Sequence, residues 1–247
     1  MTKKAYFIAD LHLGATYDKE NREVERSAVR FLESVRKEAS EIYLLGDILD
    51  YWFEYRHVVP RGYVRFFGKL AELADSGVKI TWLIGNHDIW IFDYLPRELG
   101  IEVVDGCIHR KVLGIEFCMQ HGDAIGGNGR FRFMRAMFRN RVCQRLYATI
   151  HPRWTVGFAY RCSSRSRLKR GLVGLAPSNL IDSLRGWCEN KIEEGDKSKY
   201  FIFGHLHAVY DEALPEGRRL VVLPPWNGTK EYGVFDGEKF KIESFKG

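Results

Sequence analysis

Five short stretches of this chain end an apolar run on side chains that can bind metals or move protons. Tyr6-Phe7-Ile8-Ala9 leads into Asp10-Leu11-His12, and Ile42-Tyr43-Leu44-Leu45 into Gly46-Asp47-Ile48-Leu49-Asp50. Ile80-Thr81-Trp82-Leu83-Ile84 leads into Gly85-Asn86-His87-Asp88, Phe117-Cys118-Met119-Gln120 into His121-Gly122-Asp123, and Tyr200-Phe201-Ile202-Phe203 into Gly204-His205-Leu206-His207. Each run reads as a buried strand, and open α/β sheets bind ligands just beyond the carboxyl ends of their strands. Asp, Asn and His without thiolate suit two cations of the Mn²⁺, Fe or Zn²⁺ type, roughly 3.5–4 Å apart and sharing one carboxylate. A single such ending is more often a turn or a cap. Five in succession, each behind a strand, point to chemistry. Alternate residues of an extended chain share a face, so Asp10 with His12, and His205 with His207, are expected as ligand pairs on strand ends.

The elements that must position these residues alternate between strand and helix, which argues for an α/β fold. Strands are expected at 5–9, 42–45, 80–84, 101–104 and 115–120, the last returning from a hairpin around Val112-Leu113-Gly114. Helices are expected from Asn21 to about Ala39, with Val24, Ala28, Phe31, Leu32 and Val35 at helical spacing, and from Arg61 to Asp75, closed by Ser76-Gly77. Ile91 to Leu99 is expected as a short helix or turn. Tyr51-Trp52-Phe53-Glu54-Tyr55 is unusually aromatic and reads either as a core wall or as an apolar surface beside the site. A helix from about Asn179 to Glu194, with Ser178 as its N-cap, precedes the strand 199–203. The rest reads as β, with strands at 209–214, 219–223, 231–235 and 239–245.

The net charge of +6 conceals an asymmetry. Residues 124–181 hold eleven Arg, one Lys and no Asp or Glu, leaving 26 basic and 32 acidic residues elsewhere, a net of −6. A mildly acidic body thus carries a basic insertion. Arg130 to about Ile150 reads as one basic amphipathic helix: Phe133, Met137, Val142, Leu146 and Ile150 fall near one stripe, with Arg132, Arg135, Arg139, Arg141 and Arg145 between them. His151-Pro152 ends or bends it. Trp154 to Tyr160 is aromatic with no assigned conformation, and Arg161 to Arg170 is the densest basic run. Uncompensated positive charge favours an anionic partner, and Arg over Lys favours phosphate. Either a nucleic acid or an anionic amphiphile at a membrane surface meets that description. No apolar run approaches the roughly 20 residues of a membrane span, and the start of the chain predicts no signal peptide. Cysteines 107, 118, 143, 162 and 188 are scattered, which predicts neither a disulfide framework nor a metal knuckle and suits a reducing cytoplasm.

In this order the five motifs resemble the calcineurin-like metallophosphoesterases: Asp-x-His, Gly-Asp-x-x-Asp, Gly-Asn-His-Asp, His-Gly-Asp and Gly-His-x-His, spanning Asp10 to His207. The resemblance implies a single domain over 1–247, a four-layer αββα sandwich of two mixed sheets with a basic helical cap inserted at 124–181. It implies that Asp10, His12, Asp47 and His207 hold one metal and Asp47, Asn86, His121 and His205 the other. His87 would orient the phosphoryl group or protonate the leaving group, and Asp88 would orient His87. Within the superfamily the chain is most similar to the UDP-2,3-diacylglucosamine hydrolase family of lipid A synthesis. The similarity rests on Phe7-Ile8-Ala9-Asp10-Leu11-His12-Leu13, on Tyr43 to Trp52 and on the basic segment after His121-Gly122-Asp123. It implies two Mn²⁺ ions, with Fe or Zn²⁺ as options, and an anionic acylated nucleotide-sugar substrate rather than nucleic acid. The pyrophosphate would be cleaved to UMP and an acylated sugar phosphate by in-line attack of a metal-bridging hydroxide. It also implies a peripheral position on the cytoplasmic face of a bacterial inner membrane. Asp123, Arg161, Ser164, Arg165 and Arg167 are the implied substrate-binding residues, and Trp154, Phe158 and the Phe133 stripe would line an apolar pocket. The best-known form carries Arg where this chain has His87. A phosphodiesterase acting on another lipid pyrophosphate, a nucleotide or a nucleic acid stays open as the alternative, and a non-catalytic scaffold as a remoter one.

Overall fold

The structure, a computed structural model, describes residues 3–16, 18–127, 129–170 and 178–247; the side chains of Phe131 and of residues 162–170 lie outside the description. Eleven strands form two sheets. The first has the order β11-β10-β1-β2-β3-β4, from β1 (Lys4–Ile8), β2 (Ala39–Leu44), β3 (Lys79–Leu83), β4 (Glu102–Val104), β10 (Glu231–Phe235) and β11 (Phe240–Ser244). The second has the order β5-β6-β7-β9-β8, from β5 (Ile108–Val112), β6 (Ile115–Gln120), β7 (Tyr200–Phe203), β8 (Tyr210–Leu214) and β9 (Arg218–Val222). In the first, β1 to β4 run parallel and β10 and β11 antiparallel. In the second, β6, β7 and β9 are parallel, edged by antiparallel β5 and β8.

The period-two alternation of each strand sorts its side chains into two layers. Tyr6 and Ile8 of β1 point to the outer layer, where α1 (Asn21–Val35), α2 (Val64–Asp75) and α3 (Tyr94–Leu99) cover the sheet with Phe31, Leu32, Phe66, Leu70 and Leu95. Ala5 and Phe7 point inward, against Phe117 and Met119 of β6 and Tyr200 and Ile202 of β7. Phe7 and Phe117 stack at 5.6 Å across the two sheets. Each such ring contributes about 2–3 kcal/mol by leaving water. The intervening Cys118, Phe201 and Phe203 point outward again, onto α7 (Ser178–Glu193) through Ile181, Leu184 and Cys188. These three cores define the αββα sandwich and place both sheets in one block.

Helices α4 (Gly129–Arg139), α5 (Arg141–Ala148) and α6 (Pro152–Arg170) lie between β6 and α7. The single helix expected over 130–150 is two. Asn140 has an extended ψ of 123°, and its side chain accepts from Val142 N and Cys143 N, so it caps α5 and breaks the run. Trp154 to Tyr160, left without a conformation by the sequence, is helical, with Pro152 as the first residue of α6. Ser178 is inside α7 rather than capping it from outside.

Candidate metal centre

All five motifs lie at the carboxyl ends of parallel strands: Asp10 and His12 after β1, Asp47 after β2, Asn86 and His87 after β3, His121 after β6 and His205 and His207 after β7. The loops are laced together by backbone. His12 N donates to Asp47 O (3.0 Å), Leu13 N to Ile48 O (2.9 Å), Asp50 N to Leu13 O (2.9 Å) and Gly204 N to His121 O (3.1 Å). The two sheets are joined by His205 N, which donates to Asp10 Oδ2 at 3.0 Å. Glycine is required at Gly85, where a Cβ would stand 2.2 Å from Asp47 Oδ1, and at Gly46, where φ is +85° and a Cβ would meet His121 Nδ1 at 2.6 Å.

The ligand pairs do converge, but not as extended strand ends. Asp10, His12, Asp47, His205 and His207 all have left-handed backbone, with φ of 53°, 47°, 52°, 69° and 53°. Non-glycine residues hold that conformation only where surrounding contacts over-determine it. The laced loops supply those contacts, and the chain turns at each ligand instead of running on.

Among the described residues three overlapping groups bring their ligand atoms within 4.8 Å of one another: Asp10, His12 and His207; His12, Asp47 and His87; and Asp47, His121 and His205, so that Asp47 belongs to two of them. His12 Nε2 is 3.6 Å from Asp10 Oδ1 and 3.8 Å from Asp47 Oδ2. His207 Nε2 is 3.3 Å from Asp10 Oδ1. On the other side His121 Nε2 is 3.4 Å from Asp47 Oδ2 and 3.2 Å from His205 Nδ1. His121 Nδ1 lies 2.8 Å from Leu45 O, which fixes it as the donor and turns Nε2 inward. Asp10 Oδ1 and Asn86 Oδ1 are buried and accept no hydrogen bond. Buried acceptors without donors are costly, and cations beside Asp10 and beside Asn86 would satisfy them.

The electrostatics agree. Burial opposes charge on His121, but the Asp47 carboxylate outweighs it and pushes the ring up to about 10. Burial, with the His121 charge, drives His205 down to about 4. Burial works against the Asp47 charge, yet His121 and His87 hold its carboxyl well below the usual carboxylate range. The donor set fits two divalent ions: Asp10, His12, Asp47 and His207 could hold one, and Asp47, Asn86, His121 and His205 the other.

His87 sits at the open edge of this pair, its side chain 16% exposed against 2% for His12. Its N–H donates to Asp47 Oδ1 at 2.8 Å. The orienting role expected of Asp88 falls elsewhere. The Asp88 carboxylate, fully buried, accepts from Gly85 N (2.7 Å), Ile48 N (3.0 Å) and Trp82 Nε1 (3.2 Å), so it shapes the loops. Burial and then the Asp47 charge push its carboxyl up to about 6. The residue that meets His87 is Asp50: its carbonyl oxygen is 3.0 Å, and its Oδ1 3.4 Å, from His87 Nδ1. The same Oδ1 stands 3.6 Å from His12 Nδ1. The second Asp of Gly46-Asp47-Ile48-Leu49-Asp50 was the signal for it.

The basic segment meets the centre through Asp123, whose Oδ2 accepts from Arg135 Nε at 2.8 Å. Arg139 clamps Asp105 with Nε at 2.7 Å and Nη2 at 2.5 Å. The body therefore answers part of the charge that looked uncompensated in the sequence. Arg130, Arg132, Arg141 and Arg145 are exposed and have no carboxylate partner among the described residues. Tyr51 to Tyr55 form an inner wall under the helices: Tyr51 OH bonds Tyr147 OH (3.1 Å), Tyr55 OH bonds Thr155 Oγ1 (2.8 Å), and Phe53 packs on Trp90 and Tyr147. Phe133, Val142, Leu146, Trp154 and Phe158 are exposed among the described residues. Arg161 is also exposed, and the side chains of Ser164, Arg165 and Arg167 lie outside the described residues.

Comparison with known proteins places this geometry. The family model for calcineurin-like phosphoesterase matches residues 3–209. A relative from Porphyromonas gingivalis named UDP-2,3-diacylglucosamine hydrolase is 40% identical over 259 aligned positions, covering 100% of this chain and 99% of the relative. One of the same name from Nitrosococcus oceani is 26% identical, covering 91% of this chain and 88% of the relative. Among solved structures, an archaeal phosphodiesterase matches with a TM-score of 0.52 at 11% identity, over 98% of this chain and 99% of that one. A dimetal phosphatase from Danio rerio matches with a TM-score of 0.50 at 13% identity, over 98% and 95%. These two share the fold.

Proposed function

Because the chain belongs to the calcineurin-like phosphoesterase family, we propose that it is a metal-dependent hydrolase of UDP-2,3-diacylglucosamine, cleaving the pyrophosphate to release UMP and an acylated glucosamine 1-phosphate. The observation that carries the reading is Asp47 Oδ2, facing His12 Nε2 at 3.8 Å and His121 Nε2 at 3.4 Å, with Asn86 Oδ1 and Asp10 Oδ1 lacking donors beside it. Two divalent ions bound there, Mn²⁺ first among the options, supply Lewis-acid neutralisation of phosphoryl charge and lower the pKa of water.

The chain's own groups do the rest. Asp47, common to two of the candidate ligand groups, would contribute its carboxylate to both ions. Asp50 orients His12 and His87. His87, at the open edge, addresses a phosphoryl oxygen or protonates the leaving group. The segment 124–181 acts as a cap over this centre: its unpaired arginines attract the diphosphate, and exposed Phe133, Trp154 and Phe158 meet acyl chains. Asp123 holds Arg135 and so anchors the cap to the metal loops. Among the described residues no helix is long and apolar enough to cross a membrane. Exposed aromatics among arginines instead suit a peripheral position at an anionic lipid surface, the cytoplasmic face of the inner membrane in this reading.

The test is Mn²⁺-dependent release of UMP from UDP-2,3-diacylglucosamine, run beside a bis-aryl phosphodiester. Fast turnover of the lipid with weak generic activity is expected. Generic activity alone would retain the two-metal centre and discard the lipid substrate, and single-stranded nucleic acid would be the next substrate to try.

A further inference from the structure

A second group of metal-binding side chains lies on the outer face of the other sheet. β5 and β6 pair with His109 opposite Cys118, so those two side chains share a face. Cys107, two residues before His109, falls on that face too. Cys107 Sγ and Cys118 Sγ are 3.2 Å apart, and a nitrogen of His109 joins both sulfurs within 4.8 Å. His109 Nε2 stands 2.8 Å from Asp196 Oδ2, while Asp196 Oδ1 accepts from Ser198 N at 2.8 Å. The Asp196 side chain is 7% exposed, so a backbone-locked carboxylate fixes the imidazole. With Nε2 held by Asp196, Nδ1 is the nitrogen left for an ion, as in the carboxylate–histidine arrangement that stands behind metal ions. Cys118 is buried while Cys107 and His109 are exposed, which gives an ion both a seat and an entry path.

We propose that Cys107, His109 and Cys118 form a Cys₂His site for a thiophilic divalent cation of the Zn²⁺ class, with solvent as the fourth ligand and Asp196 orienting His109. Two thiolates on a tetrahedral ion with bonds of about 2.3 Å stand about 3.8 Å apart, so the sulfurs need open by only about half an ångström. A disulfide between the same two sulfurs is the competing state, and the imidazole of His109 beside both of them is what favours an ion. The site shares no residue with the phosphoesterase centre, and its occupation does not depend on the substrate proposed there.

Co²⁺ alone, titrated into reduced, chelator-treated full-length protein, reads the site directly. Thiolate-to-cobalt charge transfer gives a near-ultraviolet band, and the Asp, Asn and His centre has no thiolate to produce one. The band is expected in the wild type and in Cys143→Ser, displaced by Zn²⁺. Cys107→Ser should halve the band and weaken binding at least about tenfold, and Asp196→Asn should weaken it about tenfold with the band intact. Loss of the band is expected in Cys107→Ser/Cys118→Ser. Because Cys118 is buried, Cys107→Ser/His109→Ala, both at exposed positions, repeats the test without disturbing the core. Absence of the band in the reduced wild type, or its survival in Cys107→Ser/Cys118→Ser, overturns the proposal. A Cys107–Cys118 disulfide in mass spectra together with no cobalt band overturns it in favour of a redox pair.

Discussion

The strand-end loops and the helices α4 to α6 face the same centre but are built in opposite ways. In the loops the candidate ligands are buried or nearly so, the loops are tied together by backbone hydrogen bonds, and Asp10, His12, Asp47, His205 and His207 hold left-handed backbone that a free chain would avoid. In the helices, among the described residues, Phe133, Val142, Leu146, Trp154 and Phe158 stand out in solvent while Phe138 and Tyr147 pack on Trp90, and charge is tied to the body at points such as Arg135–Asp123 and Arg139–Asp105. Two-metal chemistry needs donors fixed in advance, because reorganisation during the reaction raises the barrier. Grip on a flexible amphiphile needs exposed apolar area and phosphate-binding cations, which a rigid buried pocket does not offer. Under the proposed function, chemistry falls to the loops and recognition to the helices.

The sharpest way to break that division is at Asp47. Asp47→Ala should lower turnover by at least about 10³-fold, with bound metal falling towards zero by elemental analysis and the far-ultraviolet circular dichroism unchanged. Undiminished hydrolysis would sink the metal assignment. Chelation of the wild type should match it, and Mn²⁺ should reverse the loss. His87→Ala should cost about 10²-fold in kcat with metal content retained; lost metal would move His87 into the ligand set. Asp50→Ala should weaken metal binding about tenfold or more by releasing His12 and His87, measured by competition with a chelating dye. Asp88→Ala should act on stability, by about 3 kcal/mol, because it strands three buried donors; urea denaturation of the metal-free protein reads it. The smallest effect is expected at the surface. Trp154→Ser with Phe158→Ser should raise KM for the acylated substrate about tenfold and leave hydrolysis of a bis-aryl phosphodiester unchanged. An equal loss on both substrates would show that the helices serve the chemistry as well.

The regions also differ in how legible they were. The strand-end motifs could be read because each depends on one segment: an apolar run buries, and the polar residues after it emerge at the sheet's edge. The alternation of strands and helices argued for an α/β fold for the same reason, while the sandwich was implied by the family resemblance. Helix α4–α5 was misread as continuous because the stripe from Phe133 to Ile150 keeps its spacing across Asn140, whose side chain turns back to cap the next helix. The resemblance gave Asp88 the task of orienting His87, but the carboxylate beside His87 is that of Asp50, since neighbours in sequence on a turn need not face each other. Asp10 and His12 do converge, but from left-handed rather than extended backbone.

Sequence alone determined which residues would meet at a strand end, the binuclear character of the donor set and the sign of the charge on the inserted helices. Tertiary structure decided what depends on two segments at once. His205 N reaches Asp10 across 195 residues, Asp105 and Asp123 answer the arginines, and Cys107 comes to 3.2 Å from Cys118 although their spacing promised no pairing. Local pattern is set by how one segment buries its apolar face. The distance between side chains of different segments is set by how whole sheets and helices pack, and no single segment carries that information.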